Sequence, residues 1–333
     1  MRKATLFVIF LILCVGLTGC YSNKKSAPIA QNHDEVPTEE DEIYKYNAYV
    51  DLNNYIVKDF AETLDDYFKN LGNEQEPRFE KNFSFVPRSI SKYDIEKLEK
   101  AFNASHHQPQ YASVDGAAQD LYPQMTELIN LLAEAHTYYK LKSYVDDNYV
   151  KAKELHTKIV NCYKIYQPLA NKYCTNFNAI AVEREKRRLE DYKNRGQLLK
   201  YHCLSVLIHA EALQQEMDEQ QITADNILDL DLPKFQGRYN LLIADVNEIM
   251  KYSKDEQALK KESITNSGRY ESYINDIIEV KVCATQLMER VKQRRNFEKH
   301  QLGSRFFRES VDGSPEKFNK KLSDAIREYN HLN

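Results

Sequence analysis

His202 and His209 come nearest, by type and spacing, to a pair that could do chemistry. They stand seven residues apart, which puts both imidazoles on one side of a helix. A zinc-binding helix needs an acid at a set interval from such histidines, and neither has one. The spacing therefore predicts structural or solvent-exposed imidazoles. Glu328-x-x-His331 also puts a carboxylate and an imidazole on one helical face. Di-metal bundles are assembled from such pairs, but they need a second pair and additional acids. His106-His107 sits in a polar stretch without a neighbouring cysteine or acid cluster. No glycine-rich phosphate loop, nucleophile elbow or cysteine–histidine signature is present. The expectation is a chain with no catalytic residue, no metal and no cofactor.

Cys20 offers chemistry of another kind. Arg2 and Lys3 precede an apolar run from Leu6 to Leu17, and Leu17-Thr18-Gly19-Cys20 closes it. The run is too short to span a bilayer and suits a signal-peptide core. The order of parts resembles a bacterial lipoprotein signal, which implies cleavage of residues 1–19 and a diacylglyceryl thioether on Cys20. Residues 20–42 are polar, marked by Pro28 and Pro37 and by the acidic run Glu39–Glu42. Such a segment buries too little apolar surface to offset its ordering entropy and reads as a tether. Membrane attachment is expected through lipid on Cys20. Resemblance to sorted lipoproteins implies that Tyr21, in place of Asp, directs delivery to the periplasmic side of the outer membrane if the host is diderm.

From residue 43 the apolar side chains recur every three or four positions. One stripe runs Tyr49, Leu52, Ile56, Phe60, Thr63 or Leu64, Tyr67 and Leu71, and Gly72 then ends it. Further stripes comprise Leu121, Met125, Leu128, Leu132, Ala135 and Tyr139; Leu155, Ile159, Cys162, Tyr166, Leu169 and Tyr173; and Leu199, Cys203, Val206, Ala210, Leu213 and Met217. Others lie at 239–252, 270–291 and 318–329. Pro123 must sit in a first turn or kink its helix, and Ser314-Pro315-Glu316 has the makings of a helix start. Breaks are predicted at 72–92, 102–116, 223–234, 252–268 and 300–314. No stretch alternates with a period of two. The prediction is all-α: one helical body over 43–333, an elongated multi-helix bundle of long, roughly antiparallel helices.

The segment Tyr46-Asn47-Ala48-Tyr49-Val50-Asp51-Leu52-Asn53-Asn54 resembles the opening of the YiiG-like bacterial lipoproteins, which carry a domain of unknown function (3829) of nearly the remaining length. The resemblance extends from Tyr44 to the C-terminus. It implies an envelope-located helical lipoprotein and transfers no catalytic residue. Tyr46, Tyr49 and Asn53 lie along one side of their helix and form a candidate partner or ligand face, although a bundle contact with satisfied hydroxyls is the favoured use.

The chain has 23 tyrosines and no tryptophan. Tyr138-Tyr139, Tyr163 with Tyr166, and Tyr270 with Tyr273 are mostly on the stripes, so they are expected to pack the core rather than line a sugar or peptide groove. Cys162 and Cys174 would be about 18 Å apart in one uninterrupted helix, beyond bridging range. Only a hairpin near Pro168 would join them, so four free thiols are expected at Cys162, Cys174, Cys203 and Cys283. The basic runs Arg184-Lys186-Arg187-Arg188 and Arg290-Lys292-Arg294-Arg295 contain interspersed acids and read as solvated helix faces. A formal charge of −4 argues against nucleic-acid binding. Two functional expectations follow. The first is a non-catalytic interaction or scaffold module that meets an envelope protein. The alternative is a small-ligand or glycan receptor with a tyrosine-lined cleft between helices.

Overall fold

A computed structural model describes residues 37–79, 84–264 and 267–332. Cys20, the leader and most of the tether lie outside the described residues. Helices and short connections account for the described architecture, with no strand among the described residues. The chain is an all-α, multi-helix protein. The described residues fall into two compact units that divide between Ile180 and Ala181.

In the first unit, helix α1 spans Glu39–Asn54, a π turn covers Tyr55–Phe60 and α2 covers Ala61–Leu71. Thr38 caps α1 in a reciprocal box with Asp41. The acidic run read as the end of the tether is thus the first turn of α1, where negative charge complements the helix dipole. Gly72 ends α2 at φ +85°, a conformation glycine adopts without strain. Helix α3 (Lys92–Ala104) opens on a second capping box, from Ser91 and Asp94. Helix α4 spans Ala112–Lys140, so Gly116 lies inside it and Pro123 lies beyond its first turn. Helix α5 runs from Val150 to Asn194 and continues through Pro168.

The α1–α2 stripe is buried throughout, and its aromatic rings interlock with the 152–177 stretch of α5. Tyr46 meets Phe177, Tyr49 meets Tyr173 edge-on, and Phe60 meets Tyr166 edge-on. These contacts explain why a bundle without tryptophan uses so many tyrosines: each ring fills inter-helix volume, and its hydroxyl needs a polar partner. The third predicted stripe shifts at one point. Ala170 is buried while Leu169 is half-buried, because a 3.6-residue period drifts from a strict 3.5 spacing.

The second unit holds α6 (Leu198–Glu219), α7 (Leu232–Tyr252), α8 (Glu256–Lys261), α9 (Ser267–Lys292), α10 (Arg305–Arg308) and α11 (Pro315–Asn330). Helix α6 packs on α7 and α11, and α9 packs on the same two, which closes a four-helix ring. Its centre holds Leu199, Cys203, Val206, Leu213, Leu242, Tyr273, Leu287, Phe318 and Leu322. Ser314 caps α11 with Pro315 at the first helical position, as predicted. No helix among the described residues is long and apolar enough to cross a membrane.

Candidate functional site

The polar cluster richest in chemical groups lies in the α6–α7 interface. His202, Ser205 and His209 follow one another at steps of three and four on α6, so all three face the same neighbour. That neighbour is Asp245 of α7, a carboxylate only 6% exposed. His202 Nδ1 is 2.8 Å from Asp245 Oδ1, and His209 Nδ1 is 2.6 Å from Oδ2. Ser205 donates its hydroxyl to Oδ2 at 2.8 Å. An ionised carboxylate only accepts hydrogen bonds, so each Nδ1 carries the proton. Burial pushes the Asp245 carboxyl up, but the bonds from His202, His209 and Ser205 together bring it below its ordinary value. Ring stacking of Tyr252 on His202 completes the wall.

The arrangement resembles a catalytic triad in composition but not in connectivity. In a triad the hydroxyl gives its proton to the imidazole, and the acid orients that imidazole from behind. Here Ser205 gives its hydrogen to the acid. Neither imidazole activates it, and one carboxylate serves three donors. Asp245 works as a clasp that satisfies one face of α6.

A second clasp sits in the first unit around Asp115, on α4. Lys45 of α1 is 1% exposed, and its Nζ contacts Asp115 Oδ1 at 2.9 Å and Oδ2 at 3.0 Å. It also donates to the His107 carbonyl at 2.6 Å. Tyr49 donates its hydroxyl to Asp115, and the Tyr111 backbone N–H donates at 3.0 Å. Burial lowers the Lys45 ammonium and the Asp115 bond opposes it. Burial raises the Tyr49 phenol far above its ordinary value.

The three residues of the candidate face take the favoured place, inside the helix packing. Tyr46, Tyr49 and Asn53 are all enclosed, at 3%, 0% and 1% exposure. Their side of α1 is consumed by helix packing, because the hydroxyl of Tyr49 and its ring both find internal partners. Tyr173 donates to the Tyr49 carbonyl at 2.9 Å. Both amide atoms of Asn53 lack a hydrogen-bond partner. The paired tyrosines pack as expected: Tyr138, Tyr139, Tyr166, Tyr270 and Tyr273 are buried in the two cores, and Tyr163 is half-buried. A cleft of about 310 Å³ in the second unit is lined by Ser253, Lys254, Leu259, Tyr270, Glu271, Ile274 and Asn275, with Tyr270 as its single aromatic.

The remaining sequence candidates separate. His107 contributes its carbonyl to Lys45, and the His331 carbonyl accepts from Arg269 at 2.8 Å. No group of three or more His, Cys, Asp or Glu among the described residues is arranged to hold a metal ion. Cys162 and Cys174 stand on the same continuous helix, so the hairpin that would join them is absent, and all four described cysteines are free. Burial pushes the thiols of Cys162 and Cys283 up to about 11 and that of Cys174 to about 12, and it raises Cys203 as well. Sequence reasoning missed Lys45, Asp115, Ser205, Asp245 and His156. His156 is fully buried, with Nδ1 3.1 Å from the Tyr67 hydroxyl and Nε2 2.9 Å from the Glu74 carbonyl. Lys45 did carry a signal, since it extends the Tyr49 stripe one turn backward.

The family described as proteins of unknown function, DUF3829, matches residues 40–331. The chain belongs to the DUF3829 family. The match begins inside the first turn of α1 and ends beside the last turn of α11, so it takes in both clasps. No curated protein and no solved structure matches this DUF3829 chain.

Proposed function

We propose that this DUF3829 protein is a lipid-anchored bacterial envelope protein whose helical body is a non-catalytic interaction or scaffold module. The observation that carries the reading is the direction of the Ser205 hydrogen bond: the nearest approach to a nucleophile–base–acid set spends its hydroxyl on the acid. The raised thiols of Cys162, Cys174, Cys203 and Cys283 point the same way, because the thiolate is the nucleophile. The order Arg2–Lys3, apolar core and Leu17-Thr18-Gly19-Cys20 supports the anchor, as does the likeness of residues 46–54 to YiiG-like lipoproteins. A tether confines the body near the membrane and raises its effective concentration for envelope partners. In a diderm host the body faces the periplasm from the outer membrane.

Two measurements test the reading together. Metabolic labelling with a fatty-acid analogue should mark the wild-type chain and not Cys20→Ala. Crosslinking with mass spectrometry in the native envelope should recover a reproducible protein partner. Absent label on Cys20 in a competent host removes the anchor. Substrate turnover that disappears on His209→Ala, with the fold retained, replaces the scaffold with an enzyme.

A further inference from the structure

The connection between α9 and α11 departs from the solvated helix face expected of its basic run. Helix α9 stops at Lys292, so Arg294 and Arg295 lie beyond it. Between residues 290 and 308 the chain carries seven Lys and Arg against one acid, Glu298, in a protein whose net charge is −4. Two of the seven are spent internally. Arg290 lies 3.8 Å over the Phe297 ring and donates to the carbonyls of Arg295, Asn296 and Asp312. Arg308 binds Asp225 and Glu316 and donates to the Leu302 carbonyl. These two arginines pin the connection at both ends, with Phe297 buried beneath it.

What this frame presents outward is apolar and basic. Phe306 and Phe307 are 73% and 52% exposed, with ring centroids 6.0 Å apart. Lys292, Arg294, Arg295 and Lys299 are exposed; Lys292 donates to Gln236 Oε1 at 3.4 Å, and no ion pair to any of the four occurs among the described residues. The one acid, Glu298, lies 3.3 Å from His300. Two adjacent exposed phenylalanines cost solvation free energy on a surface facing only water. Exposed cations without ion pairs on the same connection are the usual complement of an anionic bilayer surface, where rings enter the headgroup boundary and charges meet the lipid phosphates.

We propose that residues 292–307 form a membrane-docking loop, with Phe306 and Phe307 entering the interface of an anionic bilayer and Lys292, Arg294, Arg295 and Lys299 holding its headgroups. The occupant is a lipid surface because charge complementarity and an apolar ring pair occur together. Each basic side chain held at such a surface contributes roughly fivefold in partitioning, and screening confines the effect to about 10 Å. The loop needs no acyl chain. It rests on the envelope reading only for where the protein meets a membrane.

The full-length chain carrying Cys20→Ala separates this contact from lipidation. Amide hydrogen exchange across 293–310 is followed with vesicles of phosphatidylglycerol and phosphatidylcholine, and with phosphatidylcholine alone. Exchange at 304–308 should slow at least fivefold on the anionic vesicles and stay unchanged on the neutral ones. Phe306→Ser/Phe307→Ser should abolish the protection, and Arg294→Glu/Arg295→Glu/Lys299→Glu should weaken vesicle binding at least tenfold. Circular dichroism checks that each variant keeps its helix content. Unchanged exchange on anionic vesicles overturns the proposal, as does protection that survives both variants. Protection that grows with protein concentration without vesicles also overturns it, since it marks a contact between copies.

Discussion

Asp115 in the first unit and Asp245 in the second solve one problem with different chemistry. Each is a buried carboxylate that must find donors for two oxygens. Asp115 takes a cation, Lys45, together with a phenol and a backbone N–H, gathered from α1 and the start of α4. Asp245 takes two imidazoles and a hydroxyl, all from one face of α6. The first clasp depends on a charge that is 1% exposed and has no way to reach water. The second divides its satisfaction among three donors, two of which are partly exposed. Removing one partner therefore has unequal consequences: an uncompensated ion in one unit, and a thinned set of hydrogen bonds in the other.

Lys45→Met should give the largest effect, because it strands Asp115. The expected loss is about 3–5 kcal/mol of stability in residues 37–180, read by urea unfolding with segment-resolved hydrogen exchange. Lys45→Met/Asp115→Leu should recover most of it. A single variant no worse than the double would break the comparison. Asp245→Asn should cost about 1.5–3 kcal/mol in residues 181–333, the range for hydrogen bonds to a charged group.

Acidification sharpens the contrast through opposite signs. Burial depresses His156 in the first unit below its ordinary 6.5. Its contribution is complete above 6.5 and falls away as pH drops through the folded-state value. In the second unit, burial pushes Glu185 and Asp218 up to about 7. Their ordinary values are 4.5 and 3.8, so these groups favour folding more as pH falls from about 7 toward 4.5. The depressed Asp245 carboxyl withdraws its support only below its ordinary 3.8. Between pH 6.5 and 5, hydrogen-exchange protection, taken relative to the intrinsic amide rate at each pH, should fall in residues 37–180 and rise in residues 181–333. A fall of protection in both units alike would remove the distinction. The smallest expected effect is Ser205→Ala, about 1 kcal/mol, since both imidazoles remain on Asp245; a loss as large as that of Asp245→Asn would show that the donors do not act separately.

The legible parts share a physical basis. The Tyr49–Leu71, Leu121–Tyr139 and Leu199–Met217 stripes are buried nearly residue for residue, because a helix converts a local period directly into a face. Gly72 and Ser314 ended and began helices for equally local reasons. His202 and His209 were seen to share a side, yet Asp245 was not, since it is 43 and 36 residues away on another helix. Cys162 and Cys174 turned on one local choice, whether Pro168 breaks a helix, and α5 runs through it.

Periodicity, caps and glycine stops were enough to establish an all-α body and the inward faces of its helices, because those features act within a few residues of chain. Which helix meets which was decided by tertiary packing alone. The same is true of the aromatic face of α1, which the sequence favours as a core seam while leaving a binding surface open. Burial against α5 settled that choice, because the apolar area and buried hydroxyls of Tyr46 and Tyr49 are satisfied together only inside the unit.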